Sequence, residues 1–512
     1  MERALKAVAF ARILSFCVGF LSLSQEILFV RLASFAYESL PSAFAFVLVF
    51  FLLGIAFGAN VGKRICARGG DLRLAGGRVL LAAFVLDALV PMIATMGAST
   101  PMRPIVLGVL ILVSAALKSV LFPIAHELGS IATGTRVGRS ISLVYASNIA
   151  GSTLGPLLTG FLLLDHVSLE HAFRLVALGT GMLGAACVMA SRPRLAGAAA
   201  FACAVAAAWT VLAPARLVSE YAMRDAEMQP PNLIIETRSG IVHTLPHASG
   251  GDAVYGSNVY DGRINTDLRT NSNGINRAYV LAALHPKPSR VLVLGLSSGS
   301  WTRVLAEFPG VERIDVVEIN PGYLELIRRH PEVAPILDDS RIHIDIDDAR
   351  RWLVRHPDRR YDLIVMNTSY YWRAYATNLL SREFLQLAKR HLAPGGIMTY
   401  NTTSSPDVLW TAHDVFPFVR RYVNFAYVAE HDFTSRIGLL GERIWSIGPP
   451  DRPWLDRNQP ADRLAVERML AIRFVSPADV ARQAERTLTV ITDDNMATEY
   501  RYGRGGPFPR FR

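Results

Sequence analysis

A strand-like run ending in a glycine-bearing turn, Val291 to Ser300 (VLVLGLSSGS), precedes a second run that ends in an acid, Ile314 to Pro321 (IDVVEINP). Glycines at the end of a buried strand let the backbone pass close to a ligand. An acid at the tip of the next strand can accept both hydrogen bonds of a ribose diol. Glu318 follows the turn by about 20 residues, the spacing that this job requires. Gly295, Ser297, Gly299 and Glu318 are therefore the first candidate site residues, and their chemistry is nucleoside binding. An ordinary αβ turn carries the same pattern, so the surrounding elements must decide.

From Val291 onward, strand and helix alternate. Strands are expected at 291–294, 314–317, 342–346, 362–366 and 396–400, with helical stretches near 300–307, 321–329, 349–355 and 381–391. That order indicates a doubly wound parallel sheet. Ligands of such sheets sit outside the carboxyl ends of the strands. Those ends carry Gly295 to Ser300, Glu318, Asp347 with Asp348, Asn367 with its following loop, and Asn401. Upstream, residues 214–288 hold short β-type runs (LIIETRSGIVHTL, AVYGSNVYDGRIN) broken by Gly240, Gly250, Gly251, Gly256 and Gly262, as in hairpins. A helix from about Ile275 to Leu284 then leads into the first strand of the larger sheet.

The N-terminal half has another texture. The chain of 512 residues is 51% hydrophobic, and its mean hydropathy is positive, too apolar for a purely soluble protein of this length. The excess is concentrated in residues 1–213. Candidate spans lie near 7–35, 41–62, 79–97, 104–125, 141–164, 173–191 and 195–213, which makes a multi-pass bundle of about seven helices. The first span lacks a small-residue cleavage site and reads as a retained signal-anchor. Lys63, Arg64, Arg68, Arg73 and Arg78, then Arg136 and Arg139, then Arg192 and Arg194, occupy alternate loops. The positive-inside rule places the N-terminus in the cytoplasm, and an odd number of crossings places the C-terminal domain outside, unless one span is re-entrant.

Polar residues inside the spans, Glu26 with Arg31, Asp87, Lys118 and Asn148, are expected to pair within the bundle or to line a cavity for a charged small molecule or lipid headgroup. Gly151, Ser152, Gly155 and Gly160 are expected to permit close helix approach. Cys17, Cys66, Cys187 and Cys203 show no disulfide or zinc spacing, and no metal site is expected. The net charge of +10 is assigned to anionic lipid headgroups rather than nucleic acid, and the tail Arg501 to Arg512 to a surface-bound or disordered end.

In the order VLVLG, VVEINP, DDARRWL, YDLIVMN and LLSREFLQLAKRHLAPGGI, the C-terminal half resembles the spermidine synthase family. Through LFPIAHEL, VGRSISLVYASNIAGSTLGPLLTGF and TDDNMATEY, the rest resembles the membrane-fused branch of that family. The resemblance covers nearly the whole chain. It implies a multi-pass α-helical bundle followed by a β-hairpin lead-in and an α/β Rossmann-like (class I methyltransferase-like) domain, with divisions at 1–213, 214–288 and 289–512. It also implies binding of decarboxylated S-adenosylmethionine or S-adenosylmethionine, with Gly295, Ser297 and Gly299 beside the thioether, Glu318 on the ribose, and Asp347 and Asp348 at the adenine.

The departures from that family bear on the acceptor. Aminopropyl transfer needs a neutral amine, and the family places carboxylates in its glycine turn (GGGDGG) and gate loop (DSTDP) to hold the diamine and accept its proton. Here Ser298, Asn367 and Tyr370 occupy those positions. The gate loop reads Asn367-Thr368-Ser369-Tyr370-Tyr371-Trp372-Arg373, aromatic and basic, suited to alkyl groups, sugar rings or an anion. Compensating acids are sought in Glu430 with Asp432, or in Asp493 with Asp494, so Asn367, Tyr370 and Asp494 are the candidate catalytic residues. The reading is a transferase of the bacterial inner membrane acting on a small-molecule or lipid-linked amine, with membrane lipids and a second copy of the chain as partners. Methyl transfer to a membrane-associated substrate, and a non-catalytic nucleoside- or polyamine-sensing transporter, are the alternatives.

Overall fold

The structure is a computed structural model describing residues 2–98, 100–131, 137–222, 229–247, 251–367, 370–449 and 451–500. Arg136, Gly250, Thr368, Ser369 and Arg501 to Arg512 lie outside the described residues, as do the side chains of Arg139 and Cys203.

The apolar half forms helices α1 (Glu2–Ala36), α2 (Pro41–Arg68), α3 (Leu72–Gly97), α4 (Arg103–Ser119), α5 (Leu121–Ile131), α6 (Val137–Leu158), α7 (Leu169–Ser191) and α8 (Ala196–Leu212). Among the described residues, six helical stretches are long and apolar enough to cross a membrane, with α4 and α5 counted as one. Helix α8 is shorter but recrosses the bundle: its far end returns to the first turns of α7, where Arg174 donates to the Ala213 and Pro214 carbonyls. Small residues set the closest crossings. A Cβ on Gly151 would lie 2.0 Å from the Phe16 carbonyl, and one on Gly58 2.0 Å from that of Ala116, so α1 and α6, and α2 and α4, pack backbone to backbone. Gly160, expected to do the same, faces open space.

The polar residues of the spans divide by role. Asp87 and Lys118 pair at the centre of the bundle. Gln25 donates to Asp87 at 2.8 Å, Ser114 donates to it at 3.1 Å, and Lys118 also donates to the Gln25 carbonyl oxygen. Asn148 donates to the Ser15 carbonyl at 3.0 Å. Arg31 does not pair with Glu26. It turns out of the bundle and donates to the carbonyls of Thr237 and Arg238.

Those carbonyls belong to the lead-in sheet, an antiparallel meander β1 (Leu233–Thr237), β2 (Gly240–Leu245), β3 (Ala253–Gly256) and β4 (Val259–Arg263). Gly240 at the β1–β2 turn and the left-handed pair Ser257 and Asn258 at the β3–β4 turn make tight hairpins as expected, whereas Gly256 and Gly262 lie within β3 and β4. Glu236 accepts from the Leu169 amide at 2.7 Å, Asp165 accepts from the Arg238 amide at 2.8 Å, and Ile241 shares a buried cluster with bundle residues. The sheet therefore docks on the bundle end where α1 finishes. Lys63, Arg64, Arg68 and Arg73 lie at the other end, where α2 finishes and α3 begins.

The C-terminal sheet contains β5 (Arg290–Leu294), β6 (Arg313–Glu318), β7 (Ile342–Ile346), β8 (Tyr361–Met366), β9 (Leu392–Asn401), β10 (Phe418–Tyr422) and β11 (Phe425–Ala429), in the order β10-β11-β9-β8-β5-β6-β7. Strands β5 to β9 are parallel, as expected. The sheet as a whole is mixed, because β11 pairs antiparallel with β9 and β10 antiparallel with β11. Helices Ser300–Leu305, Gly322–Arg328, Ala349–Arg355 and Arg382–Lys389 connect the parallel strands. The fold is a helical bundle, a β lead-in and a Rossmann-like α/β domain.

Candidate active site

The carboxyl ends of β5, β6, β7, β8 and β9 form one mouth, roofed by β4. Gly295, at φ 86°, carries the chain out of β5, and a Cβ there would meet only the Asn367 carbonyl oxygen, at 3.5 Å. This glycine opens toward the end of β8. Gly299, at φ 75°, has a different reason to be glycine: a Cβ would press on Ile336 and Ile327 at about 3.0–3.2 Å. It seats the following helix on the core. Between them Ser297, also left-handed, donates to the backbone carbonyl of Asp261, and Ser300 donates to that of Arg263 at 3.1 Å. The serines thus stitch the turn to the roof. Ser298 is buried and donates to Ser300 at 2.9 Å.

Glu318 is 3% exposed. One carboxylate oxygen accepts from the Leu296 amide at 2.7 Å and the other from the Asn320 amide at 2.8 Å. Each oxygen therefore keeps a lone pair for a further donor, the arrangement a vicinal diol needs. Burial pushes its pKa up to about 7, against the pull of those amides, and the nearby charge of Asp261 adds to the rise. Asp261 itself, in β4, is half-buried and accepts from the Tyr323 hydroxyl. Burial pushes it up to about 6, while Tyr323 and, through space, Arg373 of the gate loop hold it down. Among the described residues neither carboxylate forms an ion pair.

The sequence reading missed Asp261. Its signal was an acid at the middle of a short strand-forming run, followed by a glycine whose Cβ would meet Ser297 Oγ at 3.2 Å.

Asp347 and Asp348 stand at the end of β7 in different states. The Asp347 amide donates to the Glu318 carbonyl at 3.0 Å, and its carboxylate binds Arg351 and Arg355. Desolvation opposes ionisation, but the two guanidinium groups keep this acid below its usual range. Asp348 caps the helix Ala349–Arg355 by accepting from the Arg351 amide at 2.8 Å.

The gate loop closes the mouth from the β8 side. Asn367 ends the strand, and Tyr370 stacks on the buried Trp372 at 5.3 Å. The loop is fastened twice. The Ala374 amide donates to the Ser39 carbonyl in the turn between α1 and α2, and the buried Glu499 accepts from the amides of Tyr375 (3.0 Å) and Thr377 (2.7 Å). Glu499, not singled out from sequence, is therefore the acid of the C-terminal segment that reaches the gate loop. Asp493 pairs with Arg350, and Asp494 is exposed in the turn beside it. Glu430 and Asp432 lie at the opposite end of the strands from the mouth, because β11 runs antiparallel and brings Phe425, not Ala429, beside Asn401. Glu430 pairs there with Lys389.

The spermine/spermidine synthase domain matches residues 278–436, which hold the turn, Glu318, the Asp347-Asp348 pair and the gate loop. The polyamine aminopropyltransferase of Mycobacterium tuberculosis is 26% identical over 401 residues, 74% of this chain and 73% of its own length. The chain is spermidine synthase-like. That alignment is longer than the whole region 214–512, so the spermidine synthase-like match reaches into the helical half. Polyamine aminopropyltransferase 2 of Streptomyces coelicolor is 28% identical over 382 residues, 68% of this chain and 66% of its own. A crystal structure of a spermidine synthase with the transition-state analogue AdoDATO aligns at 15% identity and TM-score 0.39, over 49% of this chain and 87% of that one. Among the described residues no group of three or more His, Cys, Asp or Glu side chains could hold a metal ion.

Proposed function

We propose that this chain is a membrane-integrated aminopropyltransferase that takes its propylamine group from decarboxylated S-adenosylmethionine. The supporting observation is the pair Asp261 and Glu318: a half-buried and a buried acid at one mouth, both pushed up in pKa by desolvation, with no ion-pair partner among the described residues. A cationic sulfonium ligand supplies the charge that such a pair lacks. Glu318 takes the ribose hydroxyls, Gly295, Ser297 and Gly299 shape the turn beside the sulfur, Asp348 with Asp347 takes the adenine edge, and Asn367 and Tyr370 face the acceptor.

The step is an in-line displacement. The acceptor nitrogen lone pair attacks the propyl carbon on the sulfonium, the carbon–sulfur bond breaks, and its electrons return to sulfur as a neutral thioether. The new ammonium then gives up one proton. Asp261, held near 6 and facing Arg373 across the mouth, takes over the proton-accepting role of the carboxylates that Ser298, Asn367 and Tyr370 replace.

Six long apolar stretches and the shorter α8 support a reading of seven crossings, with the α/β domain on the face opposite the basic loops, the outside of a bacterial inner membrane by the positive-inside rule. The acceptor is a small amine, or a lipid-linked one, that reaches the aromatic gate loop there. Calorimetric titration of the detergent-solubilised chain with decarboxylated S-adenosylmethionine, S-adenosylmethionine and methylthioadenosine tests the reading. Preference for the decarboxylated donor, lost in Glu318→Ala, supports it. Absence of binding to all three overturns it.

A further inference from the structure

We propose that Arg31, a residue of the first bundle helix, positions Glu318 and makes the membrane half part of the donor site. A run of hydrogen bonds connects them. The Arg31 guanidinium donates to the Thr237 carbonyl and, at 3.1 Å, to that of Arg238. The Thr237 hydroxyl donates to the Asn320 side-chain carbonyl at 2.8 Å, and this same oxygen accepts from the Gly322 amide at 2.9 Å. The Asn320 amide then donates to Glu318 at 2.8 Å. Asn320 and Glu318 are both buried, so each link fixes the next with little competition from water.

Other contacts hold the same hairpin to the bundle. Asp165 accepts from the Arg238 amide, Glu236 accepts from the Leu169 amide, and Phe35 meets His243 edge to face. The last of these continues through Tyr255 to Tyr260 of β4 by ring contacts alone, and none leads to Glu318 by hydrogen bonds. Thr237 differs because its two groups serve both neighbours: the carbonyl is held by Arg31 while the hydroxyl is aimed at Asn320.

The consequence for a ribose is geometric. One Glu318 oxygen accepts from the Leu296 amide and the other from the Asn320 amide, with the Ile319 amide adding a weaker pull on the ionised form. Release of the Asn320 side lets the carboxylate turn and spoils the paired acceptor for a diol. The same helix also reaches the opposite rim, since the turn that follows it accepts from the Ala374 amide of the gate loop at 2.8 Å through Ser39. Helix α1 therefore sets the spacing of both rims, and a soluble domain cut away from the bundle would lose both constraints.

This inference rests on the donor reading above, and the test separates the two. The full chain in detergent is titrated with decarboxylated S-adenosylmethionine across pH 6 to 8.5, as wild type, Glu318→Ala, Arg31→Gln, Thr237→Val, Thr237→Ser, Asp165→Asn and the Arg31→Gln/Thr237→Val pair. Arg31→Gln and Thr237→Val are each expected to weaken binding about tenfold, the effect of one well-placed hydrogen bond. They also shift the pH midpoint of binding upward, because a displaced Asn320 amide no longer favours the ionised acid. Thr237→Ser restores binding, the double variant is no weaker than the worse single one, and Asp165→Asn stays within about twofold of wild type. Wild-type binding lost in Glu318→Ala but unchanged in Arg31→Gln overturns this inference alone. Equal losses in Asp165→Asn and Arg31→Gln, with an unmoved pH midpoint, also overturn it by reducing Arg31 to a docking contact. No wild-type binding overturns the donor reading and this inference together.

Discussion

Acids in two regions of this chain, the bundle centre and the mouth, are treated in opposite ways. In the bundle, Asp87 is fully buried against Lys118, Gln25 and Ser114, so both of its oxygens are matched and its charge is cancelled inside the protein. At the mouth, Glu318 is buried and Asp261 half-buried, yet both receive hydrogen bonds only from neutral donors, and the charge of Asp261 adds to the rise in the Glu318 pKa. The first set is complete without a ligand. The second carries an electrostatic cost that a bound cation removes, which is how a binding site differs from a structural ion pair.

The largest expected effect lies in the bundle. Lys118→Met leaves Asp87 buried without its ion-pair partner, a loss of about 3–5 kcal/mol, while Asp87→Leu with Lys118→Met recovers most of it. Thermal unfolding in detergent reads both. An unchanged midpoint for the single variant would break the comparison at its structural end.

At the mouth the expected sign reverses. Glu318→Gln removes a carboxylate that burial penalises, so the ligand-free protein gains on the order of 1–2 kcal/mol at pH 8 while donor binding falls about 100-fold or more. The pH dependence follows from the same shift. Glu318 titrates near 7 in the folded chain against an ordinary 4.5. The stability it contributes is full below the ordinary value and is lost as pH rises through about 7. Donor affinity runs the other way, because the sulfonium needs the ionised form: it tightens as pH rises from about 6 to 8 and levels off above that. Flat stability and flat affinity over this window, in wild type and Glu318→Gln alike, would show that the mouth acids are matched after all.

The sequence showed the elements far better than it showed this contrast. Strands β5 to β9 were legible because apolar runs alternate with helical stretches, and their carboxyl ends fall where the alternation places them. The β10–β11 hairpin was not, since its turn, Val423 and Asn424, lacks the glycine that marks a tight connection and instead holds Val423 at φ 54°. Without that hairpin the direction of β11 is unknown, and Glu430 looked available. Glu318 was legible from local spacing. Asp261 and Glu499 were not, because each matters through a partner brought in by folding: Asp261 meets Tyr323 of a helix beyond β6, and Glu499 meets amides more than a hundred residues earlier.

Asp348 lies between the two classes, and a smaller effect sorts it. Asp348→Ala removes a helix cap at about 1 kcal/mol, whereas Asp348→Asn keeps the cap and loses only the charge. If both variants weaken donor binding equally at matched stability, the carboxylate acts on the ligand; if only alanine does, through stability, its role is to cap.

The smallest effect belongs to Asp494, and it tests where the C-terminal segment touches the site. Asp494 is exposed in a turn whose neighbour Asp493 pairs with Arg350, whereas Glu499 is buried and holds the amides of Tyr375 and Thr377. Tyr375 is left-handed at φ 68°, an uncommon state for a bulky residue, and the Glu499 carboxylate is one of the contacts that keep it there. Asp494→Asn should therefore leave donor binding and turnover within about twofold, inside the usual range for an exposed side chain, while Glu499→Gln loosens the gate loop and lowers turnover more than donor affinity. A large loss in Asp494→Asn with an unaffected Glu499→Gln would exchange their roles and move the acceptor side of the mouth toward the TDDN turn.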